Sequence, residues 1–203
     1  AIQDLVKERT FIDVGANIGI YPLSLYKDAS FIYAFEPEEK NYKSLLHNIK
    51  INSIKNIKVI KKAVFSHNHK KIALYMNKDD QGWHSLSIKY SGGIQKVESI
   101  TLDYFVKQNK IDNIGLIKID VEGGELDVIK GAQKTLKEIH PPILIEFNKP
   151  ISELTGHKLT DIYRLIVGNN YRGYTLRGNL LNKIEDSDIM GIYNENILFI
   201  YGK

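Results

Sequence analysis

Four short apolar runs constrain the fold of this chain more than any other feature. Residues 10–14, 31–35, 115–120 and 142–147 are each of strand length and are hydrophobic at nearly every position. A strand that is apolar on both sides needs cover on both faces. Between the runs lie segments with apolar residues three and four apart. Tyr42, Leu45, Leu46 and Ile49 fall within 38–51, and Leu126, Ile129, Ala132 and Leu136 within 125–139. That spacing is the stripe of an amphipathic helix. Strands alternating with such helices predict an α/β fold, a mostly parallel sheet with helices on both faces. Further strands are expected over 57–64, 171–176, 180–184 and 197–201, and helices over 2–8, 18–26 and 159–167. The strand-like segments 71–76 and 97–102 flank a polar, glycine-bearing stretch, 77–93, which reads as a small β insertion with a hairpin and a mobile loop. The chain has 203 residues and neither repeats nor a linker, so one domain over 1–203 is expected.

Composition removes several classes. With no cysteine, there is no disulfide scaffold, thiolate zinc site or cysteine nucleophile, and a cytoplasmic protein is expected. No apolar run approaches the ~20 residues of a membrane span, so no membrane partner is expected. Residues 1–10 lack the apolar core of a signal peptide. The net charge of +4 permits an anionic partner without demanding one.

The sharpest motif is Asp13-Val-Gly15-Ala-Asn17-Ile-Gly19, between the first strand and the first sheet-covering helix. Open parallel sheets bind ligands at the carboxyl ends of their strands, where this turn falls. Its glycines permit close approach of backbone to a ligand, and the following helix start offers N–H groups to a carboxylate. Glu36 ends the second strand, about 20 residues on, at the position of an acid that accepts bonds from both ribose hydroxyls. A dinucleotide site wants G-x-G-x-x-G, whose middle glycine makes room for the pyrophosphate. That spacing is absent, which favours a ligand without a pyrophosphate. S-adenosylmethionine offers a ribose to Glu36 and a carboxylate to the turn.

These residues, with Phe35-Glu36-Pro37, Asn48 to Asn52, Thr101-Leu102-Asp103 and Ile117-Lys-Ile-Asp120-Val-Glu122-Gly123-Gly-Glu125, resemble FkbM-type S-adenosylmethionine-dependent methyltransferases from about residue 10 to residue 148. The resemblance implies a Rossmann-like class I methyltransferase sheet of seven strands, the last antiparallel over 197–201. It implies O-methylation of a sugar or small metabolite. It also assigns Asp13, Gly15, Asn17, Gly19 and Glu36 to the cofactor and places Ala63 and Val64 near the adenine. Residues after Pro150 carry no recognisable motif.

Methyl transfer from a sulfonium is an in-line displacement that needs alignment and, for a hydroxyl acceptor, removal of a proton. Asp120 ends the fourth strand and Glu122 follows two residues later. Together they could orient the acceptor, act as base or hold a divalent cation, and either could instead bond the sulfonium side of the cofactor. Glu125 reads equally as a helix-start charge. His84, in Gly82-Trp83-His84-Ser85, is a candidate base, with Trp83 as cover for the acceptor, or else an incidental loop residue. Glu146 and Asn148 end the next strand and could bind the acceptor or cap the fold edge. His67 and His69 lack a nearby acidic partner in sequence, so no metal is expected there.

The expected partner is a small-molecule or glycan acceptor. Two alternatives stand beside it: an RNA methyltransferase, and a non-catalytic S-adenosylmethionine-binding regulatory module. The lysines between 50 and 71 could track phosphates. Against nucleic acid, arginine is scarce, and no Asn-Pro-Pro-aromatic run follows the fourth strand, where base-nitrogen methylases often carry one.

Overall fold

The computed structural model describes residues 2–78, 84–178 and 180–202 of the chain. In chain order the elements are α1 (Ile2–Val6), β1 (Thr10–Val14), α2 (Ile20–Leu25), β2 (Phe31–Phe35), α3 (Glu39–Ile51), β3 (Ile57–Ile60), β4 (Ala63–Val64), β5 (Lys71–Tyr75), β6 (Ile94–Ile100) and α4 (Leu102–Gln108). They continue with β7 (Ile114–Ile119), α5 (Glu125–Lys130), α6 (Gln133–Glu138), β8 (Ile143–Asn148), α7 (Lys149–Thr155), α8 (Leu159–Val167), β9 (Tyr171–Arg177), β10 (Leu180–Ile184) and β11 (Asn194–Tyr201).

The main sheet has eight strands rather than seven, in the order β10-β9-β11-β8-β7-β1-β2-β3. The extra strand is β10, which hairpins antiparallel onto β9. Strands β3, β2, β1, β7 and β8 run parallel. β11 is antiparallel to both β8 and β9. Every residue of β7 is buried, as expected of a strand covered on both faces. One face packs Ile12, Ile117, Ile145 and Phe199 with α4, α5 and α8, and the other packs Phe11, Leu116, Leu144 and Leu198 with Val6 and Leu25.

Three expectations change. The run 57–64 is two strands, because the chain leaves the main sheet at residues 61–62 and β4 pairs with β6 in a second sheet, β4-β6-β5. The helix over 125–139 breaks into α5 and α6. The Gly131 carbonyl accepts the Asp103 N–H at 3.0 Å, and the Asp103 carboxylate takes the Lys134 and Thr135 N–H groups at 3.0 and 2.7 Å, starting a new helix. Helices α4 and α7 were not expected, although Thr101 and Asn148 cap them with side-chain bonds to Tyr104 and Ile151 N–H. The expected hairpin is present, with β5 antiparallel to β6. Of the loop joining them, residues 79–83, including Gly82 and Trp83, lie outside the described residues. Among the described residues, no helix is long and apolar enough to cross a membrane.

Candidate functional site

The chain passes from β1 to β2 on one side and pairs β1 with β7 on the other, so the sheet switches direction between β1 and β7. Such a switch point opens a crevice at the carboxyl strand ends. A cleft of about 190 Å³ lies there, lined by the turn after β1, the end of β2, β4, the β5–β6 insertion and the end of β7.

The turn after β1 is built by backbone geometry. Gly15 has φ +86°, and a Cβ there would sit 1.8 Å from the Asp120 carbonyl oxygen, so only glycine lets this turn press against the end of β7. Asn17 also adopts a left-handed φ of +49°, a conformation asparagine tolerates well. Its N–H donates to Glu36 Oε2 at 2.8 Å, and the Glu38 N–H donates to Glu36 Oε1 at 2.9 Å. Asn48 on α3 donates to the Ile18 carbonyl at 2.9 Å and ties the turn to the helix behind it. Helix α2 begins only at Ile20 and is under two turns long, so its dipole offers an anion less than a helix over 18–26 would. Gly19 caps this helix and is absent from the cleft lining, whereas Gly15, Asn17 and Glu36 line it.

Glu36 is buried, and burial pushes its pKa from the ordinary 4.5 to about 7, against the two backbone bonds that favour the charge. Each oxygen retains a lone pair beyond its backbone bond, and the residue lines the cleft, so it suits a ligand that donates two hydroxyl bonds. Ala63 and Val64, 3% exposed, form an apolar wall at the same end, supplied by the second sheet. Asn41, buried on α3, also lines this end and was missed from sequence, where it reads as one polar residue among many on a helix.

Asp13 does not line the cleft. It lies one layer below, 1% exposed, paired in register with Lys118 on β7. The Lys118 Nζ stands 3.6 Å from Asp13 Oδ1 and 3.1 Å from Asp120 Oδ2, with the Tyr21 ring centroid at 4.6 Å. The Asp13 contact is an ion pair too long for a hydrogen bond, and burial pushes Asp13 up to about 6 despite the lysine. Burial alone would lower Lys118, but Asp13 and Asp120 outweigh it and hold the ammonium above its usual value. Lys118 is therefore a site residue that the sequence reading passed over. Its signal was a lysine inside an apolar parallel strand, where a charge persists only if paired.

On the β7 side, Asp120 and Glu122 line the cleft, and His84 and Leu86 of the insertion line it too. Burial first, then Asp120, Glu146 and Glu125, push Glu122 up to about 8. Burial and Asp120 also raise Glu146. Asp120, Glu122 and Glu146 bring carboxylate oxygens within 4.8 Å of one another, close enough to hold a divalent cation between them. Glu122 does not continue the strand as an extended chain would. Its φ is +52°, in a left-handed turn. Glu125 is more than a helix-start charge, because its Oε1 accepts the Val121 and Gly123 N–H groups at 3.1 and 3.2 Å and clamps that turn. Burial pushes it to about 7. His84 Nδ1 accepts the Asn77 N–H at 3.1 Å, so the neutral ring carries its proton on Nε2. In that tautomer the ring donates from Nε2 rather than accepting a proton there, which argues against a base role. Asn148 caps α7 with its Oδ1. His67 and His69 are exposed, beside Ser66 and Glu98. Two of the lysines between 50 and 71 are paired, Lys61 with Glu39 and Lys62 with Glu98.

This fold is that of Rossmann-like methyltransferases. An FkbM methyltransferase from Methylobacillus flagellatus KT is 17% identical over 96% of this chain, with a TM-score of 0.63. The chain spans 44% of that protein's length. An rRNA methylase from Streptococcus thermophilus is 11% identical with a TM-score of 0.56, over all of this chain and 92% of its own. A putative methyltransferase from Streptococcus mutans, solved in complex with SAH, is 14% identical with a TM-score of 0.51, over 98% of this chain and 94% of its own. No curated protein matches the sequence. Residues 13–176 match the methyltransferase FkbM domain, and the chain belongs to that family.

Proposed function

We propose that this chain binds S-adenosylmethionine in the switch-point cleft and transfers its methyl group to a hydroxyl of a sugar or small metabolite. The observation that carries the reading is the placement, along one cleft, of the buried Glu36, held by two backbone N–H groups at the end of β2, and of Asp120 and Glu122 after β7. Glu36 would take the ribose hydroxyls, Ala63 and Val64 would cover the adenine, and Gly15 to Asn17 would pass beneath the amino-acid part. The cofactor supplies an electrophilic methyl on a sulfonium. Asp120, held by Lys118 at 3.1 Å, places a carboxylate near that end of the cleft. Asp13 acts through Lys118 and touches no ligand. Glu122, pushed up to about 8, is in its ionised form a stronger base than an ordinary carboxylate, and fits the task of taking the hydroxyl proton at mildly alkaline pH. His84, which also lines the cleft, fits the acceptor side of the site.

The test is calorimetry with S-adenosylhomocysteine and with NAD, followed by transfer of labelled methyl from S-adenosylmethionine to a panel of sugars, small hydroxyl compounds and RNA. Micromolar binding of the first and none of NAD, with label on a hydroxyl, is the expected result. No binding by folded protein overturns the reading. Binding with label only on RNA replaces the acceptor class, and binding with no transfer to any acceptor favours a regulatory module.

A further inference from the structure

The β5–β6 insertion and the turn after β7 are joined by one buried hydroxyl. Ser85 is 0% exposed. Its Oγ donates to the Glu122 carbonyl at 2.6 Å and accepts the Ser87 and Ile88 N–H groups at 3.1 Å each. A serine hydroxyl has one proton and two lone pairs, so its whole capacity is committed. The Ser85 backbone is itself anchored, exchanging two hydrogen bonds with Tyr75 at 2.8 and 3.1 Å. On either side of it in sequence, His84 and Leu86 line the cleft.

The partner of that hydroxyl is a strained turn. Glu122 holds φ +52°, a conformation a glutamate adopts only when its surroundings impose it. Gly123 follows at φ +96°, and a Cβ there would meet Thr155 Cγ2 at 2.5 Å and Ile151 Cγ2 at 3.0 Å, so the turn is pressed onto α7. Glu125 takes the N–H groups of Val121 and Gly123, and Ser85 takes the carbonyl of Glu122. The turn is thus gripped from α5, α7 and the insertion at once.

We propose that Ser85 is a positioning residue for Glu122: by holding the Glu122 carbonyl it keeps the turn left-handed, aims the carboxylate into the cleft, and registers the acceptor-side insertion against it. The functional part rests on the reading of Glu122 as the proton acceptor. The structural part does not. The groups that face Glu122 are Asp120, Glu146, Glu125, Lys118 and Tyr90, and loss of the Ser85 bond would let its carboxylate turn away from them.

The experiment compares wild type with Ser85→Ala, Ser85→Cys and Ser85→Thr in isotopically labelled full chain. Backbone chemical shifts and the HN–Hα coupling of Glu122 read its φ, and amide exchange of Val121 and Gly123 reads the grip on the turn. In Ser85→Ala, Glu122 should lose the left-handed signature and both amides should exchange at least tenfold faster, with β1 and β7 amides unchanged. Ser85→Thr, which keeps the hydroxyl, should restore both. If Ser85→Ala does not fold, Ser85→Cys fills the space with a poor donor and carries the same comparison. With the acceptor found by the labelled-methyl assay, turnover of Ser85→Ala should fall at least tenfold at an unchanged KM for S-adenosylmethionine. An intact Glu122 signature and unchanged exchange in folded Ser85→Ala or Ser85→Cys would overturn the proposal, as would unchanged turnover. Calorimetry of each variant with S-adenosylhomocysteine separates the two ideas. Failure of wild type to bind it removes the methyl-transfer reading and leaves the backbone result to be judged alone.

Discussion

The pH dependence of cofactor affinity should be governed by Glu36. The residue is 6% exposed, and its carboxyl accepts two backbone N–H groups and is pushed by burial to about 7. Once protonated, one of its oxygens must donate, so it can no longer serve two backbone N–H groups and two ribose hydroxyls together. The ligand therefore prefers the ionised acid, and affinity should fall as pH drops through 7. The ionised fraction goes from about 0.9 at pH 8 to about 0.1 at pH 6, which makes binding roughly tenfold weaker, about 1.4 kcal/mol. Glu36→Gln should flatten this profile and weaken binding at pH 8 by about 1–3 kcal/mol, and Glu36→Ala should weaken it by a similar amount. Asp13, Glu125 and Glu122 titrate at about 6, 7 and 8, so any slope left in Glu36→Gln belongs to them. Calorimetric titration with S-adenosylhomocysteine at pH 6, 7 and 8 and fixed ionic strength reads the effect. A flat wild-type profile, or an unchanged slope in Glu36→Gln, would refute the reasoning.

Other consequences follow from the same geometry. Lys118→Met leaves Asp13 and Asp120 without their cation and should cost about 3–5 kcal/mol, read by chemical denaturation. Adding Asp13→Asn should recover part of that loss. Gly15→Ala places a Cβ 1.8 Å from the Asp120 carbonyl oxygen, so it should lower Tm and abolish S-adenosylhomocysteine binding, and a variant that binds normally would show that the turn relaxes. Ligand-free stability should be greatest in mild acid and decline toward pH 8. Asp13, Glu36, Glu122 and Glu125 all have folded pKa values raised above the unfolded ones, so their contribution is full below about 4 and is lost as pH rises through 6 to 8. Thermal melts across pH 5 to 8 check the sign.

Much of the scaffold was legible in the chain because its signals are local. An apolar run such as residues 31–35 declares a covered strand whatever surrounds it. The spacing from Gly15 to Glu36 fixes a turn and an acid at adjacent strand ends once the strands run parallel. Tertiary structure decided what depends on neighbours distant in sequence. Register places Asp13 beside Lys118, 105 positions on, and turns a motif residue into a buried counter-ion. Residues 57–64 divide between two sheets because Ala63 and Val64 find a partner in β6 rather than in β2. The basicity of Glu122 comes from burial, then from Asp120 and from acids on β8 and α5, and its left-handed turn is gripped by a serine 37 residues earlier. Periodicity and turn chemistry are properties of a few adjacent residues. Desolvation, charge pairing and a committed hydroxyl exist only after the sheet has brought distant residues together.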